Sequence, residues 1–247
     1  MKILFTFLSI GTDNPMYWNS SKRLIEELLI NTNHDILLTT DNVDFFKGIN
    51  NDRLTVRNNL SKDLILRYSH KHEFNFNLKY LCFKDLPENY DVIFYIDGDI
   101  KNKFWSSNSE NRLKEIITNH EFIATRLNCY LNKEVSDFKM KKNPLFSHKI
   151  STYNILNWDS SDDLMNSQLP SEHFLIFKND KNKIKLFSNK WEDFNKQMQN
   201  ANGGNGCWGD GFEIGISARY AGYKNTFDMS FSEFESVFGF VFNGNKF

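Results

Sequence analysis

The sequence predicts an α/β fold with a central mixed, mostly parallel sheet flanked by helices, and three observations carry that prediction. The first is Val92-Ile93-Phe94-Tyr95-Ile96, five consecutive apolar residues in mid-chain, β-branched or aromatic throughout. Such a run reads as a strand buried on both faces, and it belongs in the middle of a sheet covered on both sides. The second is the opening of the chain, where strand, helix and strand patterns succeed one another as in a parallel sheet. The third is length, since 247 residues suffice for one large α/β domain or two small ones.

The elements follow in order. Lys2 to Ile10 predicts the first strand. Lys2 before an apolar run also resembles a signal peptide, but no small-residue cleavage site follows and Thr12-Asp13-Asn14-Pro15 reads as a turn. Ser9 to Tyr17 is a polar turn, after which Ser20 or Ser21 can cap a helix with Leu24, Ile25, Leu28 and Leu29 on one face. Ile36 to Thr40 predicts a second strand ending at Asp41, and Arg53 to Arg57 a short third one. There is no Gly-x-Gly-x-x-Gly fingerprint and no Walker loop, which argues against dinucleotide and P-loop sites. Leu60 to Leu86 carries helical spacing through Leu64, Ile65, Leu78, Leu81, Cys82 and Leu86. Asn111 to Thr118 predicts a helix, Glu121 to Leu127 a strand, and residues 128–170 an irregular polar segment punctuated by aromatics. Glu172 to Lys178 predicts another strand. Lys183 to Met198 predicts an amphipathic helix with Ile184, Phe187, Trp191 and Phe194 along one side. A last helix runs through Ile214, Ile216, Arg219 and Tyr220 before an aromatic tail, Phe238 to Phe247.

A formal charge of −1 gives no electrostatic case for nucleic acid or anionic membrane surfaces as partners. Cys82, Cys129 and Cys207 are odd in number and far apart, so they read as free thiols of a reducing, cytoplasmic compartment. No apolar run approaches transmembrane length, and a soluble protein is expected.

The chemistry is expected where the mid-chain strand ends, at Asp97-Gly98-Asp99. Ligands of open α/β sheets bind beyond the carboxyl ends of the strands. Two carboxylates this close repel and raise each other's pKa unless a cation lies between them, and hard Mg²⁺ or Mn²⁺ suits oxygen ligands. A metal–diphosphate site is the expectation. The alternatives are a plain turn, since Asp and Gly favour turns, and a phosphatase-type Asp-x-Asp. The latter normally follows a first strand and has Thr or Val where this chain has Lys101. Lys79 has two readings, a lysine projecting toward the same sheet edge or an ordinary solvated one. A second informative stretch is Asn202-Gly203-Gly204-Asn205-Gly206-Cys207-Trp208-Gly209-Asp210-Gly211-Phe212-Glu213. Glycines let a backbone approach a ligand, and acids at a helix start are favoured by its dipole; alternatively Asp210 simply caps the helix. A lysine in the tail, Lys246, could clamp a phosphate.

The strand order and the Asp-x-Asp together resemble the GT-A fold of nucleotide-sugar glycosyltransferases. Ala201-Asn202-Gly203 with Trp208-Gly209-Asp210 is similar to glycosyltransferase family six, the blood-group A/B and α-1,3-galactosyltransferase group, which carries Ala-Asn-Gly and then Trp-His-Asp-Glu there. Asn243-Gly244-Asn245-Lys246 is a second, looser likeness to the glycogenin-like family eight. The resemblance implies one domain over residues 1–247, with a nucleotide-binding half in 1–100 and an acceptor-binding half in 101–247. It implies that Asp97 and Asp99 hold Mn²⁺ (or Mg²⁺) and the donor diphosphate, assisted by Lys79 and Lys246. Thr6, Phe7 and Leu8 would lie by the uracil with Tyr17 nearby, and Glu172 and His173 where the family reads the donor sugar. His120 and Trp208 would meet the acceptor, and aromatics of 128–170 would stack on sugars or pin their loop to the core.

The implied reaction is metal-dependent transfer of a galactose-, GalNAc- or glucose-like residue from a UDP-sugar to a glycan or lipid-linked saccharide hydroxyl, with retention. The glutamate the family places after Trp-His-Asp is Gly211 here, so Asp210 or Glu213 would take its catalytic role. Two other classes stay open. A sugar nucleotidyltransferase would need a basic, Gly-rich loop after the first strand, which Gly11-Thr12-Asp13-Asn14 lacks. A catalytically inactive carbohydrate- or nucleotide-binding protein is compatible with Gly211.

Overall fold

The computed structural model describes residues 1–11, 15–60, 76–130, 168–201, 210–224 and 226–242. The elements are β1 (Ile3–Ser9), α1 (Met16–Asn31), β2 (Asp35–Thr40), α2 (Val43–Phe46) and β3 (Leu54–Arg57), then a 3-10 helix (Phe76–Phe83) and β4 (Val92–Ile96). They continue with β5 (Lys101–Asn102), α3 (Ser107–Asn119), β6 (Phe122–Tyr130), β7 (Gln168–Lys178), α4 (Lys181–Ala201), α5 (Asp210–Tyr220), β8 (Thr226–Asp228), α6 (Phe231–Phe238) and β9 (Phe240–Val241).

The expected mixed, mostly parallel sheet is present: among the described residues seven strands pair in the order β3-β2-β1-β4-β7-β6-β8. β3, β2, β1 and β4 are mutually parallel, and β7 runs against both β4 and β6. The mid-chain apolar run, β4, is therefore central. Its residues alternate between the sheet's two faces with the period of a strand. Ile93 and Tyr95 join a core with the 3-10 helix, α4 and α5. Val92, Phe94 and Ile96 join a second core with α1, α3 and α6. Many of the chain's 24 phenylalanines build the latter. Phe174 stacks on Phe234 with ring centroids 3.6 Å apart, and Phe5, Phe94, Trp105 and Phe240 meet edge-on or tilted.

Several boundaries differ from the sequence expectation for local reasons. α1 begins at Met16, about one turn before the serines expected to cap it, because Pro15 already has helical φ −57°. Ser21 is instead buried inside the helix. Of the helical spacing read over Leu60 to Leu86, residues 61–75 lie outside the described residues and 76–83 form the 3-10 helix. Most of the irregular 128–170 segment lies outside them as well.

Just before the aromatic tail lies a helix the sequence reading passed over, α6. Ser230 caps α6 by accepting from Glu233 N, and Gly239 closes it at φ +69° with its N–H on Glu235 O. A Cβ at Gly239 would lie 2.2 Å from the backbone oxygen of Phe104. Gly239→Ala is therefore expected to cost at least about 2 kcal/mol, a fall of roughly 4–8 °C in thermal midpoint for a chain of this size. Thermal unfolding followed by circular dichroism checks it, and an unchanged midpoint would contradict the close packing of this turn.

Candidate active site

Three elements converge where β4 ends. β4 delivers Asp97; the antiparallel neighbour β7 delivers His173, whose backbone oxygen accepts from Asp97 N at 3.0 Å. The 3-10 helix delivers Lys79. That helix is tied to the sheet by Arg57 of β3, which donates to Leu81 O at 2.6 Å, Lys84 O at 2.7 Å and Thr39 Oγ1 at 3.0 Å. Thr6 adds a bond from its hydroxyl to Cys82 O at 3.2 Å. The Cys82 thiol beside it is free and pushed up to about 12 by burial, an inert structural thiol.

Both oxygens of Asp97 are engaged by these neighbours. Tyr95 OH donates to Oδ1 at 2.6 Å, Lys79 Nζ lies 3.0 Å from the same oxygen, and His173 Nδ1 lies 3.1 Å from Oδ2. Lys79 is only 5% exposed, so it is a buried counter-charge and not the solvated lysine the sequence also allowed. Burial alone would raise the Asp97 pKa, but Lys79 and the His173 and Tyr95 hydrogen bonds outweigh it and hold the carboxyl at about 2.

Asp99 is different. It is exposed at the rim, and its carboxyl is raised by partial desolvation and by the Asp97 charge. The turn between the two acids is pressed against α1. Ser21 Oγ donates to Gly98 O at 3.5 Å, and Arg23 donates to Asp99 O at 3.1 Å. A Cβ at Gly98 would stand 2.5 Å from Ser21 Oγ and 3.0 Å from Leu8 O, so close approach of the helix requires glycine there. Tyr17, in the first turn of α1, is half-buried, and its phenol is raised by burial and by the charge of Asp99.

The donor set has the character a hard divalent ion takes: two carboxylates of like charge, one of them raised by the other. The two would not contribute equally, because Asp97 already faces a buried ammonium while Asp99 sits at the rim. Among the described residues no group of three or more His, Cys, Asp or Glu side chains gathers that could hold a metal.

The other expected site residues divide. Thr6 and Leu8 lie on the sheet face shared with Lys79, whereas Phe7 points to the opposite face and is fully buried beneath α1. Glu172 precedes His173 in β7. Asp210 opens α5, and Glu213 one turn on is buried. Tyr223, just beyond that helix, packs on Phe177 and Phe122, at the end of the sheet where β4 begins. His120 is not brought to this site. It closes α3 immediately before β6, at the opposite edge of the sheet, where its ring meets Phe227. That placement sets it at the end of the sheet away from Asp99. Trp208 and Lys246 lie outside the described residues. Sequence reasoning missed Tyr95, although its position two residues before Asp97 puts both side chains on one strand face.

Searches by family model and against curated protein sequences give no match. Among solved structures, mouse xyloside xylosyltransferase 1 in its apo form is similar at a TM-score of 0.49 and 9% identity, over 92% of this chain and 84% of that one. A likeness at that level carries no argument about donor, acceptor or chemistry. Among the described residues no helix is long and apolar enough to cross a membrane.

Proposed function

We propose that the chain is a metal-dependent glycosyltransferase of the GT-A type that takes its sugar from a nucleotide donor, UDP-linked by resemblance, and passes it to a glycan or lipid-linked saccharide hydroxyl. The observation that carries the reading is the unequal pair at the carboxyl edge of the sheet, Asp97 clamped by buried Lys79 and Asp99 exposed beside it. Open α/β sheets bind ligands at this edge, and an exposed carboxylate backed by a second one attracts a divalent cation with its diphosphate. Asp99, backed by Asp97, would hold Mn²⁺ or Mg²⁺. When bound, the metal supplies neutralisation of charge on the departing diphosphate.

The chain's own groups do the rest. Lys79 holds the Asp97 carboxylate in one orientation, and Tyr95 and His173 complete that restraint. His173, held through one ring nitrogen on Asp97, is the residue that by resemblance would read the donor sugar. An acid in the first turn of α5, Asp210 or Glu213, would stabilise positive charge developing on the transferred sugar.

Thermal shift with uridine diphosphate and Mn²⁺ tests the reading. At a hundredfold excess over Kd, binding contributes about 2.7 kcal/mol, so the midpoint is expected to rise by roughly 5–11 °C with both present. Little change is expected with either alone. A screen of UDP- and GDP-sugars for hydrolysis in the presence of Mn²⁺ then names the donor. Absence of any shift with every nucleoside diphosphate and metal would overturn the proposal, and a shift given by free sugars without metal would replace it with a carbohydrate-binding one.

A further inference from the structure

Asp41, the residue after β2, gathers three segments on one carboxylate. Trp18 Nε1 donates to Oδ1 at 2.7 Å, and Gly11 N–H donates to Oδ1 at 3.2 Å and Oδ2 at 3.3 Å. The Thr40 hydroxyl lies 3.5 Å from Oδ1. The indole is seated directly over Gly11: a Cβ there would stand 2.5 Å from Cε2 of Trp18. Phe45 of α2 packs on the same indole at 5.5 Å between centroids. The end of β1, the first turn of α1 and the end of β2 are thus clasped together.

The helix held by this clasp is the one that bears on the candidate site. Tyr17 neighbours Trp18, and its carbonyl accepts from Ser9 Oγ at 3.4 Å. Ser21 and Arg23, one and two turns further on, hold the carbonyls of Gly98 and Asp99. The chain of contacts runs from Asp41 through Trp18 and α1 to the Asp97–Asp99 turn without a break.

We propose that Asp41 is a positioning residue for donor binding: by anchoring α1 through Trp18 and Gly11 it fixes the turn that presents Asp99 to the diphosphate. This rests on the glycosyltransferase reading above. Asp41 acts through the helix: its oxygens accept from Trp18 of α1 and from Gly11 after β1.

The test compares Asp41→Ala, Asp41→Asn, Trp18→Phe and the Asp41→Ala/Trp18→Phe double variant in calorimetric titration with uridine diphosphate and Mn²⁺. Removing a group that orients a binding residue weakens affinity by about 10–100-fold, and Asp41→Ala and Trp18→Phe are each expected at the lower end of that range. The double variant is expected to bind no more weakly than either single one, since both break the same clasp. Asp41→Asn, which keeps an acceptor oxygen for the indole and for Gly11, is expected to bind within about threefold of the wild type. Hydrogen exchange is expected to quicken in residues 16–20 of the Asp41→Ala variant and to stay unchanged in β4.

Wild-type affinity in Trp18→Phe with a loss in Asp41→Ala would overturn the proposal, because Asp41 would then meet the ligand itself. Additive losses, or unchanged exchange in the first turn of α1, would overturn it as well. A wild-type protein that binds no nucleoside diphosphate would overturn the donor reading beneath it, whereas wild-type binding with unaltered variants overturns this proposal alone.

Discussion

Asp97→Asn is expected to lower the thermal midpoint of the metal-free protein by roughly 6–20 °C, the equivalent of about 3–5 kcal/mol in a chain of this size. The carboxylate has 15% of its side chain exposed and the ammonium of Lys79 only 6%. A neutral amide at position 97 removes the carboxylate that lies 3.0 Å from that buried ammonium, and taking away one partner of a buried ion pair costs far more than an exposed pair is worth. The double variant Asp97→Asn/Lys79→Met removes both charges and is expected to recover a good part of the loss. Urea unfolding of the three proteins measures this, and a single variant within about 1 kcal/mol of the wild type would contradict the buried pair.

The same pair sets an acid limb. The Asp97 pKa in the folded chain is held at about 2, below the ordinary 3.8. A folded-state pKa that is depressed contributes stability at all pH above the unfolded value, and that contribution is lost as pH falls through the folded value. The metal-free protein is therefore expected to lose on the order of 2 kcal/mol between about pH 5 and pH 2 through this group. Asp97→Asn lacks this component, so the gap between variant and wild type should narrow on acidification.

Much of this arrangement is written in the order of residues, and some of it could not be. β4 was legible because five apolar residues, β-branched or aromatic throughout, read as a strand covered on both faces, and its end at two acids pointed to the site. α1, α3, α4 and α5 were legible from apolar spacing. The start of α1 was not, because serines that could cap a helix at 20 and 21 concealed that Pro15 had already begun it. α6 was missed although Ser230 and Gly239 are the start and stop signals of a helix; nine aromatics in the last 30 residues masked the period.

The environment of single polar groups was the least legible. A lysine on a short helix carries no mark of whether it points to solvent, and Lys79 is buried because Arg57 and Thr6, distant in sequence, pull its helix onto the sheet. Tyr95 reads as a core aromatic until its hydroxyl is seen on Asp97. His120 entered the expected site through the family resemblance alone, and a residue that precedes a strand parallel to β4 lies at the end of the sheet away from Asp97.

Asp99→Ala is expected to do the reverse of Asp97→Asn: turnover of nucleotide sugar falls by at least about 10²–10³-fold, while the thermal midpoint moves by no more than about 2 °C. In sequence the two acids are equivalent, separated by one glycine. In the fold they are opposites. Asp97 has its oxygens bonded to Tyr95, Lys79 and His173 and contributes to the folded state, whereas Asp99 is exposed, with its backbone held by Arg23 and its carboxyl raised by desolvation and the neighbouring charge. A carboxylate kept in that condition gains from a cation and gives the fold little, so its removal relieves repulsion at the turn while removing the cation's ligand. Hydrolysis of a UDP-sugar with Mn²⁺, measured beside thermal unfolding on the same preparation, separates the two effects. Unchanged turnover in Asp99→Ala would sink the metal–diphosphate assignment. A fall in turnover matched by a large loss of stability would show that Asp99 shares the structural work of Asp97, and that the division between an anchoring acid and a working one is wrong.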